Sequence, residues 1–121
     1  MTATGDIMVL EFNIGKQFSR DPAGRYYADG DGSGEKFREN YLKPRYEQAL
    51  SEDSILVIVL DDDVETYGSS FLSEGFGGMV KKGYAQPDDL LKRLDFKYSN
   101  PDFEFYVKKI REYIKTAKPR T

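Results

Sequence analysis

Apolar residues recur in this chain in three rhythms, and each predicts a different element. Ile55-Leu56-Val57-Ile58-Val59-Leu60 is an unbroken, largely β-branched run. A short run without polar alternation predicts a strand buried on both faces, in the middle of an α/β sheet. Leu94, Phe96 and Tyr98 alternate with Arg93, Asp95 and Lys97, which predicts a half-buried strand near a sheet edge. Phe103, Tyr106, Val107, Ile110, Tyr113 and Ile114 recur at steps of three and four. That is an amphipathic helix, opened by the capping and proline signals of Asn100-Pro101-Asp102.

The same helical spacing links Phe37, Tyr41, Leu42, Tyr46, Ala49 and Leu50. Ser33 is the predicted N-cap, and Glu35 sits where the helix dipole favours an acid. Pro44 lies inside the pattern and predicts a kink or two shorter helices. Ile7 to Phe12 reads as a first strand, mostly buried. Turn residues Gly15, Asp21, Pro22 and Gly24 follow it. A weak second strand around Gln17-Phe18 or Arg25-Tyr26-Tyr27 would pair with it as a hairpin. Phe71 to Val80 forms a glycine-rich helix closed by Lys81-Lys82-Gly83, and Pro87 to Leu91 gives one further turn.

The order β-β-α-β-α-β-α predicts a small α/β layer fold, a mixed four-stranded sheet with helices packed on it. Its strand-helix-strand portion is expected to be a right-handed parallel unit. The length of 121 residues fits a single domain over residues 1–121. Its core is expected at about 7–114, with a basic, fraying tail at 115–121.

Composition narrows the chemistry. The chain has no cysteine and no histidine. Thiolate catalysis, cysteine-ligated zinc and the usual general base are therefore excluded. A net charge of −3 argues against a nucleic-acid partner. No apolar run is long enough to span a bilayer and the N-terminus lacks a signal-peptide pattern, so a cytoplasmic protein without membrane contact is the expectation.

Candidate chemistry gathers where the apolar run ends. Asp61-Asp62-Asp63-Val64-Glu65 leads into Gly68-Ser69-Ser70 and the glycine-rich helix. The aspartates resemble the Asp-x-Asp corner of haloacid-dehalogenase-type phosphatases, in which one carboxylate attacks phosphorus beside magnesium. Glu65 stands where that motif carries threonine or valine. The serine pair is expected to cap the helix, and a phosphate there would add about two negative charges to an acidic surface. Gly75, Gly77 and Gly78 weaken a helix by roughly 1 kcal/mol each, so they mark a close backbone approach. The protein's own sheet is the expected neighbour, with another protein as the alternative. Asp29-Gly30-Asp31-Gly32-Ser33-Gly34 resembles the start of an EF-hand loop, but the twelfth place is Asn40 instead of a bidentate glutamate. A loop leading to the Ser33 cap is the simpler reading, and no metal ligand is assigned.

Gly68-Ser69-Ser70-Phe71-Leu72 resembles the Asp-Ser-Ser-Gly-Leu-like corner of STAS domains, the family of sulfate transporters and anti-sigma-factor antagonists. The chain is more closely similar to a prokaryotic STAS-like family of unknown function. Gly24-Arg25-Tyr26, Ser33-Gly34-Glu35-Lys36-Phe37-Arg38, Leu42-Lys43-Pro44 and Ser70-Phe71-Leu72-Ser73-Glu74-Gly75-Phe76-Gly77-Gly78 carry that similarity. The resemblance implies a non-enzymatic regulatory module that needs no cofactor and binds a protein. A histidine-kinase-like ATPase is the implied partner, with Ser69, or its neighbour Ser70, as phosphoacceptor. The expected docking face comprises Asp62, Asp63, Glu65, Ser69, Ser70, Phe71 and Glu74. The alternative is a magnesium-dependent phosphoryl-transfer or nucleotide-binding protein using Asp61, Asp63 and Glu65.

Overall fold

Two crossover connections run between parallel strands in a computed structural model that describes residues 9–119. The strands are β1 (Val9–Asn13), β2 (Ile55–Val59) and β3 (Leu94–Lys97). They lie in the order β1-β2-β3, and both pairings are parallel. A sequential order with connections of one hand places both connections on the same face of the sheet.

Burial follows from that arrangement. The register sets Leu10, Leu56 and Leu94 side by side, and Phe12, Ile58 and Phe96 in the next row. These residues meet the helices in the hydrophobic core. The other face carries Glu11, Val57 and Asp95 in one row, with Val9 52 % exposed beside it. Lys97 reaches Glu11 at 3.6 Å across that face. β2 is therefore sealed on its Leu56–Ile58 side and only half-buried at Ile55 and Val57. A continuous apolar run does not distinguish this from burial on both faces. β1 is an edge strand, less buried than expected, and Ile7 and Met8 lie outside the described residues.

Three strands are present among the described residues, not four, and the sheet is parallel, not mixed. The expected hairpin strand is replaced by turns for local reasons. The Asn13 side chain accepts from Lys16 N, closing a helical turn at Ile14–Gln17. Farther on, Asp29 Oδ2 accepts from Arg25 N and Tyr26 N, folding the chain into a 3₁₀ turn at Tyr27–Asp29. Side-chain acceptors of this kind draw the backbone away from a ladder.

Ser33 caps the first long helix as expected, accepting from Lys36 N at 3.2 Å. The helix does not break at Pro44. It runs on as Gly34–Phe37, a π-turn at Arg38–Leu42, and Lys43–Glu52. The wider turn accommodates a proline that lacks an N–H and crowds the preceding turn. Asn100 caps the C-terminal helix by accepting from Asp102 N, and the helix extends to Thr116. The tail is thus shorter than 115–121. Pro87–Arg93 forms a longer helix than the single expected turn.

Candidate functional site

The three aspartates after β2 diverge. Asp61 Oδ2 accepts from Ser99 N and Asn100 N, both at 2.8 Å, and so ties the end of β2 to the end of β3. Asp62 Oδ2 accepts from Asn13 Nδ2 at 2.6 Å, tying it to β1. Asp63 has φ +61° and faces Lys16 at 3.5 Å in an exposed ion pair. The corner is a brace across three strand ends. No group of metal-binding side chains occurs among the described residues.

Beyond the brace the chain turns inward. Val64 and Tyr67 are buried, and the Tyr67 hydroxyl donates to Leu60 O at 2.6 Å. Burial, reinforced by nearby Asp61, pushes this phenol well above its ordinary range. A cleft of about 800 Å³ lies between residues 20–23 and 61–68. Asp21, Asp61, Asp63, Glu65 and Arg20 are its charged lining residues.

The glycine-rich helix starts differently from the sequence reading. Its N-cap is Gly68, with no side-chain cap, and Ser69 is the first helical residue. A serine cap was expected because serine favours that position, but Gly68 already takes the extended conformation a cap requires, at φ −73° and ψ 139°. Ser69 is left exposed. Ser70 Oγ accepts from Arg25 Nη2 at 3.4 Å. Phe71 is fully buried, 5.3 Å from the Phe37 ring. Glu74 is only 2 % exposed. These last two residues belong to the interior and leave the expected docking face. Asp62, Asp63, Glu65, Ser69 and Ser70 are exposed or partly exposed.

Arg38 is the partner of Glu74. Its Nη1 lies 2.8 Å from both Glu74 Oε2 and Glu74 O, and the arginine is 0 % exposed. Arg38 Nε also donates to Glu39 Oε2 at 2.8 Å, and Tyr84 donates to the same carboxylate. Burial opposes the charge on Arg38, but the bonds from Glu39 and Glu74 raise its pKa above the ordinary value. The Glu74 end lies in a second π-turn, Ser73–Gly77. Two π-turns therefore meet through one buried ion pair. A lone glutamate among phenylalanines and glycines, Glu74, was the available sequence signal, while Arg38 stands beside charged Lys36 and Glu39. Their separation of 36 positions hid the pairing.

The glycines explain how the helices come so close. A Cβ on Gly34 would stand 2.6 Å from Phe71 O and 2.9 Å from Gly75 N. A Cβ on Gly75 would meet the Phe37 ring, one on Gly77 the Tyr113 backbone, and one on Gly78 the Arg38 guanidinium. The neighbours are this protein's own helices, not its sheet as expected.

The EF-hand-like loop does not converge on a centre. Asp29 is spent on Tyr26 N and Arg25 N, which hold its carboxyl below the ordinary value. Glu35 Oε1 accepts from Tyr27 N at 3.0 Å, and Asp31 faces Lys36 at 3.9 Å.

Residues 33–104 match a family model described as a STAS-like domain of unknown function (DUF4325). The match begins at the Ser33 cap and takes in both helices joined by Arg38 and Glu74. Comparison with curated proteins gives no match, and neither does comparison with solved structures.

Proposed function

The chain belongs to this STAS-like family, and from that premise we propose that it is a non-enzymatic regulatory module that binds another protein. The docking face is the exposed corner of Asp62, Asp63, Glu65, Ser69 and Ser70. The partner is a histidine-kinase-like ATPase, and Ser69 is its phosphoacceptor. The cytoplasm is the proposed compartment. No helix among the described residues is long and apolar enough to cross a membrane.

The carrying observation is the position of Ser69. It is exposed at the first turn of a buried helix, it is not consumed as a cap, and an acidic turn precedes it. A phosphate at that point gains from the helix N-terminus while adding about two negative charges to the docking face. The magnesium-dependent alternative is the weaker reading, although Asp61, Asp63 and Glu65 all line the cleft. Asp61 is directed at two backbone N–H groups and Asp63 at Lys16.

The test is incubation with ATP and a histidine-kinase-like ATPase encoded in the same genomic neighbourhood, with the phosphate located by mass spectrometry. Label on Ser69 that disappears in Ser69→Ala supports the proposal. Full labelling retained in Ser69→Ala removes Ser69 as acceptor.

A further inference from the structure

Residues 20–23 form one wall of the cleft beside the helix start. Backbone bonds hold this wall chiefly to its own loop and to the first long helix. Ala23 N donates to Gly32 O at 3.1 Å, Gly34 N to Gly24 O at 2.9 Å, and Glu35 N to Arg25 O at 3.0 Å. Toward the glycine-rich helix there is one long backbone bond, Gly68 N to Pro22 O at 3.3 Å.

Arg25 supplies the side-chain connection. Its Nη2 donates to Ser70 Oγ at 3.4 Å, and its Nη1 lies 3.6 Å from Glu74 Oε1. Glu74 Oε1 is buried and accepts no hydrogen bond among the described residues. A buried carboxylate oxygen in that state needs a donor, and the Arg25 guanidinium stands just beyond bonding distance from it. Arg25 is thus shared between a hydroxyl and a carboxylate, with both contacts long.

We infer that Arg25 is a positioning residue for the cleft, transmitting changes at Ser70 to the wall at 20–23. By reaching Ser70 and Glu74, one turn apart on the glycine-rich helix, it ties the loop that carries the wall to that helix and fixes how far the wall stands from the 61–68 turn. An anionic group at position 70 attracts a guanidinium more strongly than a hydroxyl does. It draws Arg25 away from Glu74, and the wall moves with it. The functional weight of this device rests on reading the corner as a docking face, but the movement itself is measured without any partner.

The chain has no cysteine, so nitroxide labels placed by Ala23→Cys and Glu65→Cys report only the distance across the cleft. In the doubly labelled parent a narrow distance distribution is expected. Arg25→Gln should broaden and shift it by more than the parent's width, with Arg25→Lys intermediate. Ser70→Ala should broaden it less, and Ser70→Asp should shift its mean. Hydrogen exchange at Leu56–Val59 should stay at the parent's rate, showing that the sheet is intact. If Arg25→Gln exposes those amides, Arg25→Lys and the two Ser70 variants carry the test. A distribution unchanged in those variants overturns the inference. So does one that responds to Arg25 but to neither Ser70 variant. Absence of partner binding or of Ser69 labelling bears on the proposed function alone.

Discussion

Arg38 Nη1 lies 2.8 Å from Glu74 Oε2, and both side chains are buried. The pair joins two helices within the matched residues 33–104, at the turns where both widen. Removing Arg38 leaves the buried Glu74 with only Arg25 at 3.6 Å, and removing Glu74 leaves the buried Arg38 with Glu39 as its remaining partner. Arg38→Met should therefore cost about 3–5 kcal/mol in urea unfolding, as should Glu74→Leu. The double variant should be less destabilised than either single one, because it leaves no lone charge. Single variants within about 1 kcal/mol of the parent would show that the pair does not hold the helices.

Gly34 and Gly68 give a matched comparison. A methyl group on Gly34 collides with backbone, whereas one on Gly68 meets Ala23 at ordinary contact distance, 3.5 Å. Gly34→Ala should cost roughly 1–3 kcal/mol by overpacking. Gly68→Ala should lie within about 0.5 kcal/mol of the parent. Thermal unfolding of the two variants checks the contrast, and equal losses would contradict it.

Asp61 acts on stability in this account. Its carboxylate accepts two backbone N–H groups at the end of β3. Asp61→Ala should cost about 1.5–3 kcal/mol, the range for hydrogen bonds to a charged group. Hydrogen exchange at Ser99 and Asn100 should quicken before that of β2. A variant as stable as the parent would contradict the bracing role.

Acid should weaken the clasp through Glu39. Burial acts to raise this carboxyl, but the bonds from Arg38 and Tyr84 outweigh it and hold the group below its ordinary value of 4.5. A carboxyl whose pKa is lower in the folded than in the unfolded chain contributes stability above the unfolded value. The contribution is lost as pH falls through the folded value. Glu39→Gln should therefore melt below the parent at neutral pH, and the gap should close well below pH 4.5. A gap independent of pH would contradict this assignment.

Much of the fold was legible because its signals are local. The caps at Ser33 and Asn100, the strand at 55–59 and the apolar stripe of the C-terminal helix each depend on neighbours a few positions away. The missing strand was not legible. Asn13 and Asp29 use side-chain oxygens to bend segments whose composition also suits a hairpin. Nor was the role of Glu74. A charged residue beside Ser69 reads as surface until the helix is turned and Arg38 is found beneath it. Of the residues expected on the docking face, Phe71 and Glu74 lie in the interior, on the side of the helix that faces its neighbours.

The central functional claim is that a partner is recognised at the corner between β2 and the glycine-rich helix. Backbone amide spectra of the labelled chain, recorded while a histidine-kinase-like ATPase domain is added, test it most directly. Signals of residues 61–70 should shift or broaden first, and Asp63→Asn with Glu65→Gln should weaken the effect without altering the free spectrum elsewhere. Perturbation centred on the helix Pro87–Arg93 or the open sheet face, or no perturbation at saturating partner, would contradict it.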